Sequence, residues 1–389
     1  MTSSGSDVPC SLAATLGVLG RYVPAALVQP ERLRLIQPYL RGVTSGASVF
    51  YGFECRLAGN DPKVDFLFCS TIEAGGCDAL ADDQGLAADL EQHPVWQRIR
   101  RFCKVWRRPD GPLRDKVTNT WLELDIDGPR ALVPVPSFFC GLYAVYPELR
   151  RDAEGPGREA PPIDDRTSPG RQPDWLLDGA VPLVRQEPLA RRTRHAAAHC
   201  FERLPERAMV FQAGVMLSRP DDFIRLCVWN VPLPGILPYL DAIGWAADRE
   251  LRARLEALIG TLGQIVDGAH IDIDVTDGVA PKIGLECYVH AAGEKGMRWK
   301  PLFDYLRREG LCAEEKARAM AQWRGVRWVH AAELGPRAES LFGLSLNHVK
   351  LTVAPGQPLQ AKAYLAVKQV PIPQRVLDAF PSGVTNRPS

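Results

Sequence analysis

The sequence predicts an α+β fold, a ten-stranded antiparallel β-barrel built from five ββαα-type repeats with the helices outside. Three observations support this prediction. Five pairs of strand-like segments follow one another along the chain, and turn residues such as Gly, Pro, Asn and Asp join them. Between most pairs the apolar period changes from two to about 3.6, which is typical of helices. Ten antiparallel strands with helices on one face are most simply accommodated by a closed barrel, which leaves no strand edge exposed.

The barrel domain is predicted to span residues 45–370, after an N-terminal segment, 1–44, that is helical and packs on the barrel. The paired strands are predicted at 47–57 with 63–71, 119–127 with 135–145, 208–217 with 223–231, 269–275 with 282–290, and 343–353 with 361–368. Helices are predicted at about 79–92, 94–107, 188–203, 234–245, 247–265, 299–310 and 313–324.

Two segments lack this periodicity. Residues 150–187 begin with a stretch rich in Pro, Gly and charge, which predicts a flexible insertion that is either disordered or a surface lid. Residues 371–389 are interpreted as a C-terminal tail.

Composition narrows the class of protein. Of the 389 residues, 46 % are hydrophobic, enough for a substantial core, and 47 Lys and Arg balance 46 Asp and Glu, which argues against a nucleic-acid-binding protein. Ten cysteines without a Cys-x-x-Cys pair indicate reduced thiols rather than disulfides or a zinc site. With no targeting or membrane-spanning segment apparent, we expect a soluble cytoplasmic protein.

Strand alternation predicts which side chains face inward. In residues 121–127, Leu122 and Leu124 alternate with Trp121, Glu123 and Asp125, and the later strands repeat the pattern. Since helices need an apolar partner, the polar side chains face either bulk water or an enclosed lumen. Aromatic residues among the acids and bases favour the lumen, and they are Trp121, Trp229, Tyr288, His348 and Tyr364.

One strand carries a short motif. Lys362-Ala363-Tyr364 places a cation and a phenol on the same face, and Lys350 has the same orientation on the neighbouring strand. With the hairpin repeats and the polar lumen, this pattern resembles the prenyltransferase barrel, or ABBA fold. By length, the chain is most similar to the indole and aromatic prenyltransferases of the dimethylallyl-tryptophan synthase type.

The resemblance implies an enzyme that transfers an allylic group from a prenyl diphosphate to an aromatic or peptide acceptor in the lumen. In that family Lys and Arg hold the diphosphate, which suits a polyanionic leaving group. The implied diphosphate ligands are Arg56, Arg225, Lys350 and Lys362, and Glu54 is the implied proton acceptor. The implied shield of the allylic cation and the acceptor pocket comprise Trp121, Trp229, Tyr288, Tyr364, His348, Glu123 and Glu286.

Acidic residues depart from the family pattern. Where Lys-x-Tyr is expected, this chain has Glu286-Cys287-Tyr288, and Asp125, Asp272 and Asp274 also fall on the polar face. The acids could hold Mg²⁺, although the resemblance implies no required cofactor. They could instead recognise a cationic acceptor. The alternative function is a barrel, catalytic in another way or not at all, that binds a peptide or a small cationic ligand beneath 150–187.

Overall fold

A closed antiparallel barrel forms the centre of the protein. The computed structural model describes residues 11–59, 61, 63–82, 86–125, 135–142, 168–218, 223–289, 299–329 and 339–372. Within these ranges the strands are β1 Phe50–Arg56, β2 Val64–Ser70, β3 Asn119–Asp125, β4 Ser137–Gly141, β5 Met209–Val215, β6 Ile224–Trp229, β7 Gly268–Val275, β8 Val279–Tyr288, β9 Gly325–Val329, β10 Ser340–Val353 and β11 Gln360–Pro371.

Ten of the described strands close the barrel. Each strand from β1 to β7 pairs antiparallel with the next, β8 pairs with β10, and β10 pairs with β11. The ring closes where β11 pairs with β1, with Tyr364 opposite Glu54. The predicted ten-stranded antiparallel barrel is therefore confirmed, whereas its division into five ββαα repeats stays a prediction from the sequence.

The strand β9 was absent from the sequence prediction. It pairs with the first part of β10, from Ser340 to Leu344, so β10 begins earlier than residue 343. The segment Gly325–Val329 is short, and its first three residues are exposed. Such a segment lacks the buried alternation from which the other strands were predicted.

Eleven α-helices are present in the described part of the chain. They are α1 Leu12–Leu19, α2 Pro30–Leu40, α3 Gly76–Ala81, α4 Ala88–Gln92, α5 Pro94–Trp106, α6 Val181–Arg185, α7 Arg191–Glu202, α8 Ile236–Ala242, α9 Arg249–Leu262, α10 Lys300–Arg308 and α11 Glu314–Gln322. None of these helices combines the length and the apolar character that crossing a lipid bilayer would require.

The helix α5 illustrates how the sequence forms the outer layer. His93 caps it by accepting a hydrogen bond at Nδ1 from the backbone N–H of Val95, and Pro94 occupies the first helical position. Its buried residues recur at helical spacing and face the barrel: Trp96, Ile99, Phe102, Cys103 and Trp106.

The apolar side chains of the strands face these helices. Leu122, Ile271, Leu285 and Leu351 are fully buried in one core with the helical side chains. Their neighbours in sequence point to the other side of the sheet, because successive side chains on a strand alternate. The polar side chains of the strands therefore face the lumen of the barrel.

Part of the predicted insertion lies outside the described residues, namely 150–167. From residue 168 onward the chain contains a 3₁₀-helix, Pro169–Arg171, a π-helix, Trp175–Ala180, and α6. Leu176 and Leu177 of the π-helix are buried in the main core. The predicted tail is described only as far as residue 372.

We expect Leu351→Ala to lower the free energy of unfolding by about 2–5 kcal/mol, because it leaves a cavity between barrel and helices. Leu35→Ala, at a residue that is 38 % exposed on α2, is the matched control and should change it by less than about 0.5 kcal/mol. Urea unfolding curves measure both. Equal effects would contradict the assignment of the apolar strand face to the core.

Candidate functional site

Five polar side chains form a row across neighbouring strands of the lumen. Pairing in the sheet places Arg56 opposite Lys362, Lys362 opposite Lys350, Lys350 opposite Glu286, and Glu286 opposite His270. Residues opposite one another on a sheet have neighbouring side chains on the same face. Three cations predicted to bind a diphosphate are therefore adjacent, and Glu286 continues their row.

A second row lies beside the first. It runs from Asp125 through Asp65 and Glu54 to Tyr364 and His348. Acids occupy one half of this row and aromatic residues the other. The acidic and aromatic halves meet at Glu54 and Tyr364, which are directly opposite each other on β1 and β11.

The carboxylate of Glu54 joins the two rows. Lys362 Nζ lies 2.6 Å from Glu54 Oε1, and Arg56 binds the same oxygen. The Tyr364 hydroxyl donates a hydrogen bond to Glu54 Oε2. Burial by itself would raise the pKa of Glu54, but Lys362, Arg56 and Lys350 together hold this pKa well below its usual value. Glu54 is thus ionised, and both of its carboxylate oxygens have a partner.

Lys350 reaches across β8 to a second carboxylate. Its ammonium group forms an ion pair with Asp272 on β7. Gly284 lies opposite Asp272 and makes this path available, because a Cβ atom at that position would lie 2.8 Å from Lys350 Cε. Burial alone would lower the pKa of Lys350, but Asp272 outweighs it and raises this pKa above the usual value.

Arg225 forms the third charged contact. Its Nε lies 2.7 Å from Asp274 Oδ1, and its second guanidinium nitrogen donates to Asp274 Oδ2 at 3.0 Å. Lys282 Nζ is also 2.7 Å from Asp274. This bidentate geometry fixes the guanidinium plane. Burial would raise the pKa of Asp274, but Arg225 and Lys282 hold it below its usual value.

Aromatic rings stack beside these charges. The ring centroids of His348 and Tyr364 are 4.1 Å apart at an interplanar angle of 23°, and Tyr288 lies 5.1 Å from His348 and 4.2 Å from His270. Burial and the nearby Lys350 lower the pKa of His348 to about 3, so its ring is neutral. His348 therefore adds flat polar surface to the stack without adding positive charge.

Glu286 lies against this stack. The Tyr288 hydroxyl donates to Glu286 Oε2 at 3.1 Å, while His348 Nε2 is 3.6 Å and Lys350 Nζ is 3.9 Å from Oε1. Burial, followed by the charge of Asp272, raises the pKa of Glu286 to about 8. The acid at the position of the expected lysine is therefore mostly protonated at neutral pH.

Sequence reasoning missed Asp65. Its carboxylate comes within 4.8 Å of those of Glu54 and Glu123. Burial and the charge of Glu54 raise the pKa of Asp65 to about 10 and that of Glu123 to about 7. The signal in the sequence was a single carboxylate on the inward face of an otherwise apolar strand, Val64–Ser70.

A cavity opens between the charged groups and an apolar end of the lumen. It has an empty volume of about 670 Å³, which includes space open to solvent. Its charged or polar lining includes Arg225, Lys350, Glu123, Asp272, Glu286, Gln212 and Asn347, and its flat or apolar lining includes Trp121, Phe139, Phe211, Phe50, Leu67, His348 and Tyr364.

The predicted site residues separate into two groups. Trp121, Glu123, Arg225, Asp272, Glu286, His348, Lys350 and Tyr364 line the cavity. Within the described part of the chain, the cavity lining does not include Glu54, Arg56, Lys362, Trp229, Tyr288, Asp125 or Asp274. Of these, Glu54, Arg56 and Lys362 connect to the cavity through the hydroxyl group of Tyr364.

The predicted metal ligands have other partners in the structure. Asp272 binds Lys350, Asp274 binds Arg225 and Lys282, and the more exposed Asp125 accepts a hydrogen bond from Ser218. Among the described residues, the acids whose oxygens converge are instead Glu54, Asp65 and Glu123.

Comparisons with known proteins address the fold. The sequence matches no protein-family model and no curated protein. AnaPT from Neosartorya fischeri is similar in structure, with a TM-score of 0.50 and 13 % identity over 93 % of this chain and 92 % of its own. For the 5-dimethylallyltryptophan synthase from Streptomyces coelicolor, the TM-score is 0.48, with 15 % identity over 92 % of this chain and 97 % of its own. For prenyltransferase PriB, the TM-score is 0.47, with 16 % identity over 90 % of this chain and 94 % of its own.

At sequence identities this low, the structural similarity establishes the fold alone. The closed ten-stranded antiparallel barrel with surrounding helices is that of the ABBA prenyltransferases, and the resemblance predicted from the sequence is confirmed at this level. Activity and acceptor do not follow from the fold, because one fold supports many functions.

We expect Glu54→Gln to lower the free energy of unfolding by about 3–5 kcal/mol, because it leaves Lys362 and Arg56 buried beside a neutral amide. The double variant Glu54→Gln/Lys362→Met should recover part of this loss. Urea unfolding measures the coupling between the two positions. Asp241→Asn, in an exposed ion pair with Arg252, serves as control and should leave the melting temperature unchanged. A double variant as unstable as the sum of its parts would contradict the pairing.

We expect the stability of the protein to fall with rising pH through Glu123. The pKa of this group is about 7 in the folded chain and about 4.3 when unfolded, so the folded state binds more protons between these values. Glu123→Gln should therefore reduce the loss of unfolding free energy between pH 4.5 and 7 by about 2–3 kcal/mol.

Urea unfolding at a series of pH values measures this difference between the two proteins. Glu187→Gln, at an exposed position, is the control and should keep the wild-type slope. An unchanged slope in Glu123→Gln would mean that Glu123 is ionised in the folded protein at neutral pH.

Proposed function

We propose that the protein is a prenyltransferase that transfers an allylic group from a prenyl diphosphate to an aromatic acceptor, free or within a peptide. The observation that carries the proposal is the composition of the cavity. Arg225 and Lys350 line it together with the flat surfaces of Trp121, His348 and Tyr364. Cations suit the diphosphate, and aromatic faces suit the allylic cation and a flat acceptor.

The cations would bind the leaving group. Breaking the allylic C–O bond leaves the electron pair on the diphosphate, whose added charge Lys350 and Arg225 would stabilise. Lys362 and Arg56 follow Lys350 in the same row, so they add positive potential behind the first contacts. In the described structure each of these cations also has a carboxylate partner, which keeps it in place before a ligand enters.

The aromatic residues would shield the allylic cation from water. Tyr364 and His348 line the cavity as a stacked pair, and Trp121 also lines it, with its ring edge-to-face against Phe50. A neutral His348 stabilises a carbocation better than a protonated one would, because like charges repel. Residues that exclude water also prevent hydrolysis of the cation.

Glu54 would accept the proton that the acceptor releases. Attack of the aromatic ring on the allylic carbon forms the new bond, and the ring then loses a proton to restore its aromaticity. Tyr364 lines the cavity and its hydroxyl group donates to Glu54 Oε2, so a proton taken up by the Tyr364 oxygen would be matched by transfer of its own proton to Glu54.

A divalent cation fits this lumen poorly. In the described structure the acids that converge are Glu54, Asp65 and Glu123, but Glu54 is already bound by Lys362, Arg56 and Tyr364. Mg²⁺ prefers several carboxylate and water oxygens in octahedral geometry. We therefore assign no step of the reaction to Mg²⁺.

A second candidate function is binding of a small cationic ligand or a basic peptide. It is favoured by Glu123, which lines the cavity and has two further acids behind it. A cationic ligand there would bring Glu123 and Asp65 into their ionised forms, because an adjacent positive charge lowers the pKa of a carboxyl group.

Dimethylallyl diphosphate or geranyl diphosphate should raise the melting temperature, with or without Mg²⁺, and a panel of aromatic acceptors should give prenylated product by mass spectrometry. Lys350→Met should reduce this rise in melting temperature, because a cation of the cavity lining is lost. Tyr364→Phe should keep the shift but lower the rate of product formation about 100-fold, since the proton path to Glu54 is interrupted.

Lys300→Met, at an exposed lysine on α10, is the control and should behave as wild type. Stabilisation by a basic peptide or a small amine, with none by either diphosphate, would support the second candidate instead.

A further inference from the structure

Glu286 occupies the position in the lumen that an entering anion would contact. It lines the cavity together with Lys350 and Arg225, the two cations assigned above to the diphosphate. It lies directly opposite Lys350 in the row of side chains that runs across the barrel. Its side chain is only 10 % exposed, so bulk water provides little screening. A negative charge at Glu286 would therefore oppose binding of any diphosphate at these cations.

Within the part of the chain that the structure describes, no lysine or arginine lies as close to Glu286 as Lys362 lies to Glu54. Among the described residues its nearest lysine nitrogen, Lys350 Nζ, is 3.9 Å away and forms a closer ion pair with Asp272. The remaining close contacts are a hydrogen bond from Tyr288 and the imidazole rings of His348, at 3.6 Å, and of His270, at 3.9 Å. Tyr288 and His348 are neutral polar groups, which suit a protonated carboxyl group as well as an ionised one.

The charged and titratable groups around Glu286 come from five strands. They are Arg225 and Cys227 on β6, His270 and Asp272 on β7, Tyr288 on β8, His348 and Lys350 on β10, and Tyr364 on β11. Burial and Asp272 favour the protonated form of Glu286, whereas Lys350 and Arg225 favour the ionised form. The balance raises the pKa of Glu286 to about 8.

We propose that Glu286 is a ligand of the diphosphate group as a neutral carboxylic acid, donating its O–H to a phosphate oxygen beside Lys350 and Arg225. This inference rests on the proposed function and specifies how its anionic substrate is bound. Binding then retains the proton of Glu286 below pH 8 and takes up one proton above it, because the anion favours the protonated form. Glu286, which stands at the lysine position of the Lys-x-Tyr pattern, thus acts as a hydrogen-bond donor whenever its carboxyl group is protonated.

Glu286→Gln tests the proposal, because a glutamine amide donates a hydrogen bond but cannot ionise. Inorganic pyrophosphate and dimethylallyl diphosphate would be titrated into both proteins by calorimetry from pH 6.5 to 9, in two buffers of different ionisation enthalpy. The affinity of Glu286→Gln relative to wild type should rise about tenfold between pH 7 and pH 9. Near pH 9, wild type should take up nearly one more proton per anion than the variant.

Comparison of the two proteins cancels the titration of the ligand itself. Glu187→Gln, at an exposed position outside the lumen, should match wild type at every pH. A readout without any variant is the infrared difference spectrum of wild type at pH 8.5, in which pyrophosphate should increase the carbonyl band of a protonated carboxyl group.

Three results would overturn the proposal. Identical pH dependence and proton uptake in wild type and Glu286→Gln would show that Glu286 does not change protonation with the anion. Binding by the folded variant that is weaker by tenfold or more at pH 9, where the free wild-type carboxyl group is mostly ionised, would show that an ionised Glu286 is needed. Absence of binding of either diphosphate to wild type at any pH would remove the proposed function and this inference with it, whereas the first two results would leave the proposed function intact.

Discussion

The alternation of side chains along each strand is the constraint on which the lumen depends. In a closed antiparallel barrel each side chain points either toward the surrounding helices or toward the interior. The outer face is occupied by apolar residues such as Leu122, Ile273 and Leu351, which form one core with the helices. The polar residues of the same strands are consequently buried in the interior, where charges carry a large desolvation cost unless they are compensated.

Two kinds of compensation are present among the described residues. Glu54, Asp272 and Asp274 are paired with cations, which keep them ionised. Asp65, Glu123 and Glu286 lack such close partners, and their raised pKa values favour the neutral form. The lumen is therefore less acidic than its sequence indicates, because several of its carboxyl groups are protonated. This removes much of the repulsion that the row of acids would otherwise exert on an anion.

The same arrangement separates the cations that line the cavity from Glu54, the proposed proton acceptor. Arg225 and Lys350 line the cavity, whereas Glu54 is not part of its lining among the described residues and accepts a hydrogen bond from Tyr364, which is. The low pKa of Glu54 makes it a weak base for the proposed reaction, but its place outside the lining would also protect its carboxylate from the proposed carbocation. This separation follows from register, since Tyr364 on β11 lies directly opposite Glu54 on β1.

The sequence by itself determined the ten barrel strands, most of the inward-facing residues and the resemblance to a prenyltransferase barrel, because these depend on local periodicity and on short motifs such as Lys362-Ala363-Tyr364. It did not reveal β9, whose residues are too exposed to show alternation. Only the tertiary structure decided which inward residues meet. The pairing of Lys350 with Asp272, the space left by Gly284 and the approach of Asp65 to Glu54 depend on strand register and barrel closure. Register joins residues that are distant in sequence, and it therefore sets the protonation and partners of groups whose presence alone was visible in the chain.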